Sequence, residues 1–363
     1  MTTIKEIAIQ LKITPTAVSY ALNGRTGKVS PATRQRVLDA AQAMGYQPHT
    51  AAQALRTGRH HSVLVLIRTP QLPYYAEILH HMVQQVLAHP YQVIIQRGSL
   101  IEDEGKPPQG APQPATALSA LHTGVDGYFI VDAPQTAAAL RTREASRMRP
   151  KPVISMGTYH DNGEDFVGIS LGMRTCEAVR HLLHLGCHRI AYLIDAGTYS
   201  ISEARRAAYV STLEEAGLEP QFLIASEQSR TAAYHFVREH VLKKGHPDAL
   251  LCINDEMAMG ASRSFWDLGL RVPGDVSLIG CDGIPEAEYA YPSLTTIVQP
   301  IEEMCRIAWE FLERRLEQPS LPPQQRVLEA TLSLRESSRS AFREREPVEF
   351  PSLRNRTQSI PSR

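Results

Sequence analysis

The chain has 363 residues, 43% of them hydrophobic and 21% charged, with basic and acidic side chains balancing to a net charge of zero. That length allows more than one domain with its own core, and no apolar run approaches the ~18 residues that a membrane-spanning helix needs. The N-terminus, MTTIKEIAIQ, is charged early and has no signal-peptide core, so a cytoplasmic protein with no membrane partner is expected.

Charge is uneven along the chain. Residues 1–61 hold eight Lys/Arg against two acids, a net +6, which leaves −6 on the remainder. A basic head on an acidic body suggests a polyanionic partner for the head alone. The five cysteines (Cys176, Cys187, Cys252, Cys281, Cys305) are odd in number and contain no C-x-x-C pair. They argue against a disulfide framework and a zinc site, and for buried reduced thiols.

In chain order, Thr3-Ile4-Lys5-Glu6 reads as a capping box opening a helix to about Leu11. Thr14 followed by Pro15 opens a second helix to about Leu22, stopped by Asn23-Gly24. Ser30-Pro31 starts a third that runs to Met44, with Gly45 beyond its end. Ile7, Ala8, Leu11, Val18, Leu22, Val37 and Met44 recur at helical spacing and form one small core. The turn Lys12-Ile13-Thr14 between the first two helices is that of a helix-turn-helix, whose second helix enters the major groove of DNA. The stretch 50–56 is shorter than the roughly 12–15 residues an isolated helix requires, so it is helical only when something holds it.

From Ser62 the texture changes to strand-like runs at 63–67, 92–95, 127–131, 153–155, 189–194, 249–253 and 276–280. Amphipathic helical patterns such as 76–88, 175–185, 203–216 and 257–268 fall between them. This alternation implies a doubly wound parallel α/β architecture. Its length favours two lobes with a cleft, where ligands sit beyond the carboxyl ends of the strands. A Pro/Gly/Gln-rich stretch at 106–114 reads as a loop, and the Arg/Ser/Pro-rich 339–363 reads as a disordered tail. His181, His184 and His188 lie close together, but with no acidic ligand placed beside them they read as surface and capping residues. No nucleophile elbow, phosphate loop or H-E-x-x-H occurs, so no catalytic residue, metal or cofactor is expected.

The string TIKEIAIQLKITPTAVSYALNG…VSPATRQRVLDAAQAMGYQPHTAAQALRTGRHHSVLVLI resembles the N-terminus of the lactose-repressor type (LacI/GalR) transcription regulators. The resemblance resumes in GVDGYFIV, HLLHLGCHRIAYL, INDEMAMGA and DLGLRVPGDVSLIGCDGIPEAEYAYPSLTTIVQP, and covers roughly residues 2 to 338. It implies a helix-turn-helix domain at 1–48, a hinge at 49–60 and a two-lobed, periplasmic-binding-protein-like effector and dimerisation domain at 61–338. It implies base contacts from Pro15, Thr16 and Tyr20, and a minor-groove wedge at Leu55 in the hinge. Thr3, Ser19 and Asn23 match positions that touch the DNA backbone. Family members often carry Arg where Tyr20 stands, which implies a different operator preference. The other reading of Tyr20 is a packing residue. In the body, Tyr74, Tyr75, Arg205, Asn254 and Asp282 match cleft positions, a set suited to a sugar or a related polyhydroxylated metabolite. Two alternatives stand beside these: Asp282 as a carboxylate bonding its own turn, and Arg205 as a surface arginine. Three departures from the family pattern are Lys12 in place of a turn glycine, Ser170-Leu171 in place of Asp-Asn, and Ala208 in place of a glycine. The expectation is therefore a nucleoid-associated homodimer that binds a palindromic operator in duplex DNA, most simply as a repressor under small-molecule control. The alternative function is a sugar-binding sensor signalling through a partner protein.

Overall fold

The computed structural model describes residues 2–22, 27–46, 58–67, 72–97, 124–158, 164–196 and 204–338. Asn23, the hinge with Leu55, the stretch 106–114 and the tail 339–363 lie outside the described residues. Two compact units divide the chain. Met1–Ser62 with Gly124–Asp126 form one, and Val63–Thr123 with Gly127–Arg363 form the other.

In the first unit, three helices follow the start signals: α1 (Ile4–Leu11), α2 (Pro15–Leu22) and α3 (Pro31–Ala43). The capping box at α1 is complete. The Thr3 hydroxyl accepts from the Glu6 amide at 3.3 Å, and the Thr3 amide donates to Glu6 Oε2 at 2.7 Å. Thr14 Oγ1 accepts from the Ala17 amide at 3.1 Å at the start of α2, and Ser30 Oγ accepts from Thr33 at 3.2 Å before α3. Lys12 ends α1 in the left-handed region, at φ 53° and ψ 45°. Ile7, Ala8, Val18 and Val37 are buried in one cluster with Ala21, Ala40 and Ala41; Leu11, Leu22 and Met44 pack against it half-buried. Each large apolar side chain buried here contributes about 1.5–3 kcal/mol, so the cluster is what holds three short helices together.

In the second unit, two six-stranded sheets carry the chain. The first sheet takes β1 (Ser62–Ile67), β2 (Gln92–Arg97), β3 (Gly127–Val131), β4 (Val153–Thr158) and β5 (Phe166–Ser170). The second takes β6 (Ile190–Asp195), β7 (Gln221–Ala225), β8 (Ala249–Cys252), β9 (Ser277–Asp282) and β10 (Thr295–Val298). The chain then returns with β11 (Gln325–Glu329) to the first sheet and β12 (Thr331–Ser333) to the second. Strand orders are β11-β5-β4-β3-β1-β2 and β12-β10-β9-β8-β6-β7. The pairs from β1 through β3, β4 and β5 to β11 are parallel, as are those from β7 through β6, β8 and β9 to β10. Strand β12 is antiparallel to β10. Strands β1, β3, β8 and β9 are buried along their full length, because helices cover both faces of a parallel sheet. All seven strand-like runs of the sequence are strands, and five more (β5, β7, β10, β11, β12) complete the sheets. The doubly wound, two-lobed body and the three-helix head are both as expected.

The helices of this unit are α4 (Pro73–Leu87), α5 (Pro134–Ala145), α6 (Gly172–His184), α7 (Ala204–Glu215), α8 (Arg230–Lys244), α9 (Asp255–Asp267), α10 (Glu286–Tyr289) and α11 (Ile301–Glu317). Helices α8 and α9 pack so closely that a Cβ on Gly260 would stand 2.2 Å from the Arg230 carbonyl oxygen. The end of the described body is tied down by Ser337, whose hydroxyl donates to the Leu278 carbonyl at 2.6 Å and accepts from the Thr295 amide at 2.8 Å. His181 joins the same tie, with Nε2 2.8 Å from the Ser338 carbonyl. Its role is structural, and among the described residues no group of three or more His, Cys, Asp or Glu could hold a metal ion. All five cysteines are free thiols, four buried and Cys176 half-buried.

Candidate DNA-contact helix and effector cleft

Helix α2 divides its residues by face. Val18 and Ala21 point into the core of the first unit, while Pro15 and Thr16 are exposed and Ser19 and Tyr20 are half-buried. Thr16 and Tyr20 are four residues apart and share a face. Thr3 is exposed, and its oxygen is occupied by the cap. Its hydroxyl proton is therefore the part that can be offered outward, as a donor to an anionic oxygen.

In the second unit, the predicted cleft residues come together at the carboxyl ends of strands from both sheets. Tyr74 and Tyr75 lie in the first turn of α4, with ring centroids 5.0 Å apart. Tyr74 is buried, and its phenol is raised well above its ordinary value, first by burial and then by Asp132, Tyr75 and Asp282. It thus stays a hydrogen-bond donor. Arg205, in the first turn of α7, is no loose surface arginine: Nη1 donates to the Ile253 carbonyl at 2.8 Å and to Cys281 Sγ at 3.7 Å.

Asp282 ends β9 at φ 125°, a conformation rare for a residue with a side chain. Strain of this kind costs on the order of 1–3 kcal/mol and gathers at functional sites. Its carboxylate does not serve its own turn. The Gly283 and Ile284 amides donate instead to Asp255 Oδ2, at 2.7 and 3.0 Å. Asp282 Oδ1 accepts from Gln299 Nε2 at 2.9 Å. Burial, and then Asp255, push the Asp282 carboxyl well above the carboxylate range.

Asn254 is committed more heavily than expected. It caps α9, with Oδ1 accepting from the Met257 amide at 2.8 Å, and its Nδ2 donates to Gln228 Oε1 at 3.2 Å. Gln228 in turn donates to Asp195 Oδ1 at 2.8 Å. Of the two amide protons of Asn254, one makes the bond to Gln228.

Sequence reasoning missed Asp132, Asp195, Gln228, Asp255 and Gln299. The signal for four of them was present: each ends a strand or lies just beyond its carboxyl end, where ligands of such sheets bind. Asp132, at φ 48°, has its carboxylate against Gly157, whose own φ is 121°; a Cβ there would stand 1.9 Å from Asp132 Oδ1. Among the described residues the cleft therefore brings together the Asp132 and Asp282 carboxyls, the Arg205 guanidinium, the protonated Tyr74 phenol and the Asn254 amide, a set of mixed donors and acceptors.

Residues 3–49 match the family described as bacterial regulatory proteins, lacI family, and residues 179–338 match the periplasmic binding protein-like domain. The chain belongs to the lacI family. This lacI-family protein is a DNA-binding repressor with an effector-binding domain, and the family is not an enzymatic one. It is similar to the HTH-type transcriptional repressor PurR of Erwinia tasmaniensis, at 28% identity over 318 residues, 87% of this chain and 91% of the relative. Its fold is that of the lac repressor dimer bound to operator and the anti-inducer ONPF, with a TM-score of 0.78 and 22% identity over 93% of this chain and 99% of that one. A LacI family regulator from Enterococcus faecium with bound ribose gives a TM-score of 0.65 at 22% identity, covering 77% of this chain and all of that one.

Proposed function

We propose that this lacI-family chain grips a two-fold symmetric operator as a homodimer, and that a polyhydroxylated small molecule in the cleft, a sugar or nucleoside in chemical class, sets the strength of that grip. The observation that carries the reading is the buried, strained Asp282 beside Arg205 and Tyr74 at the strand ends. Alternating acceptors and donors on buried side chains such as Asp282 and Tyr74 suit vicinal hydroxyls, each of which gives and takes a hydrogen bond. The relative crystallised with ribose supports that class.

On this reading residues 1–48 form the DNA-binding domain, 49–60 the hinge and 61–338 the effector body. Pro15, Thr16 and Tyr20 face base edges; Thr3, Ser19 and Asn23 hold phosphates; Leu55 wedges a base step. Homodimerisation is supported by the outer face of α9. There Met259, Arg263, Trp266 and Tyr291 line a groove of about 850 Å³, and Trp266 is 69% exposed. With Tyr289 and Tyr291, 85% and 78% exposed, it makes a group of exposed aromatics of the kind found at interaction surfaces, and the lac repressor of like fold is seen as a dimer bound to operator. Two-fold symmetry then places two heads on matching half-sites.

Selection of bound duplexes from a random pool at about 0.15 M salt tests this. A palindromic consensus is expected, and its affinity for the chain should change when the matching sugar or nucleoside is added. Leu55→Ala should weaken the selected duplex while sparing most non-specific, salt-dependent binding. No enrichment, or an affinity untouched by every compound that binds the body, overturns the reading.

A further inference from the structure

The chain beyond residue 61 carries a net −6, yet residues 141–151 hold five basic side chains (Arg141, Arg143, Arg147, Arg149, Lys151) and one acid, Glu144. Solvated surface loops of an acidic domain do not ordinarily concentrate charge of the opposite sign. This segment is the end of α5 and the loop into β4.

The loop is built rather than loose. Glu144 is only 2% exposed. Its Oε1 lies 3.2 Å from Arg143 Nη2 and 3.3 Å from Arg147 Nε, and its Oε2 accepts the Lys151 amide at 3.3 Å. Ser146 Oγ donates to the Arg143 carbonyl at 2.7 Å. Pro150 and Pro152 fix their own φ on either side of Lys151. Arg147 and Arg149 project from this frame as exposed side chains, with Lys151 half-buried. Glu164 pairs with Arg141 of the same segment, and the buried Asp165 pairs with Arg315. A preformed backbone lowers the ordering entropy that a phosphate contact has to overcome.

Topology gives the loop its place. β1, β3, β4 and β5 are parallel, so the segment before β4 lies at the strands' amino ends, opposite the cleft at their carboxyl ends. β1 opens at Ser62 at that same end, and the chain reaches Ser62 directly from the DNA-binding domain.

We propose that Arg147, Arg149 and Lys151 form a second, sequence-independent phosphate contact made by the effector body itself. It rests on the DNA-binding reading above and adds a surface to it. The partner is the sugar-phosphate backbone of duplex DNA, read through charge alone.

The test uses the full chain and a 40-base-pair duplex of random sequence, with affinity measured by fluorescence anisotropy across a potassium chloride series. The double variant Arg149→Ala, Lys151→Ala leaves the Glu144 side-chain pairs intact. Its log-log salt slope should be shallower than wild type by about 1.8 per bound protomer, about 3.6 for a homodimer with both copies on the duplex, since each phosphate contact is worth about 0.9, with weaker binding at low salt. A control, Lys243→Ala, Lys244→Ala, removes equal charge from the end of α8 and should keep the wild-type slope. Wild-type slope in the double variant overturns the proposal, as does an equal loss in the control, which would reveal a net-charge effect only. A wild-type chain that binds no duplex sinks the DNA-binding reading itself, a result distinct from either.

Discussion

Asp255 accepts two backbone amides on one oxygen and the Thr296 hydroxyl on the other, at 2.6 Å, with no exposure to solvent. Burial outweighs these bonds and raises its carboxyl to about 7. A carboxyl held higher in the folded chain than the unfolded value near 3.9 stabilises at low pH, and the contribution is lost as pH rises toward about 7. Asp282, raised well above the carboxylate range, acts in the same direction. Asp275, held down to about 2 by Arg271, acts in the opposite sense, and only below about pH 4. The unfolding midpoint of the full chain should therefore fall by several degrees between pH 5 and pH 8. Asp255→Asn keeps an acceptor for the two amides and can donate to the Thr296 oxygen. It also removes the neighbour that helps to raise Asp282. Calorimetry at both pH values should show a flatter dependence in the variant, and an unchanged slope would exclude Asp255 as its source. A second residue-scale expectation concerns Lys12, whose left-handed backbone costs a side-chain-bearing residue about 1 kcal/mol. Lys12→Gly should recover roughly that amount of stability in the three-helix unit, read by urea unfolding followed through its helical signal; a loss would mean that the lysine side chain contributes more than its backbone costs.

Helix α9 is capped by Asn254, to which the proposed function also gives a ligand contact. Its oxygen closes the helix amino end and its nitrogen bonds Gln228. Two substitutions separate these roles. Asn254→Asp keeps the cap and even suits the positive helix terminus, but removes the amide donors. Asn254→Ala removes both, and should cost about 1 kcal/mol of stability. A ligand contact through the remaining proton predicts that both variants weaken effector-dependent control of operator binding, while only Ala lowers the unfolding midpoint. If Asp leaves that control intact, Asn254 is a cap alone. At this scale the sequence was informative wherever one element explains itself. The runs that became β1, β3, β8 and β9 are continuous apolar stretches, buried on both faces. β10 (Thr295–Val298) begins with two threonines that are fully buried because Asp255, Arg335 and Ser338 satisfy them across long sequence separations. β11 is a strand because it pairs with β5 after the chain has crossed back from the other sheet. Neither partner is visible locally. The cleft shows the same division. Arg205 and Asp282 stood out by motif, whereas Asp132, just beyond the end of β3, has its carboxylate in the space that Gly157 leaves, a contact no local pattern shows.

For the molecule as a whole, the proposed two-fold assembly would decide how the parts act together, because one head on one half-site lacks the avidity of two. Linking two sites in one particle raises effective affinity by 10²–10⁴ with no new contact. The surface proposed for that assembly is concentrated on Trp266, Tyr289 and Tyr291, exposed by 69%, 85% and 78%, with Arg263 beside them on α9. Trp and Arg at the centre of such a patch are the residue types that dominate interface energies. Trp266→Glu places a carboxylate there without entering the core, since Trp266 packs outward while its neighbour Phe265 is fully buried. Sedimentation should then show a monomer at concentrations where the wild type is a dimer, with an unchanged unfolding signature for the monomeric body. Affinity for the selected palindromic duplex should fall by about 100-fold or more, whereas affinity for a single half-site should stay close to wild type. A variant that remains dimeric moves the interface elsewhere on the body. A monomeric variant that still binds the palindrome at full strength would show that the two heads do not need the body to pair them.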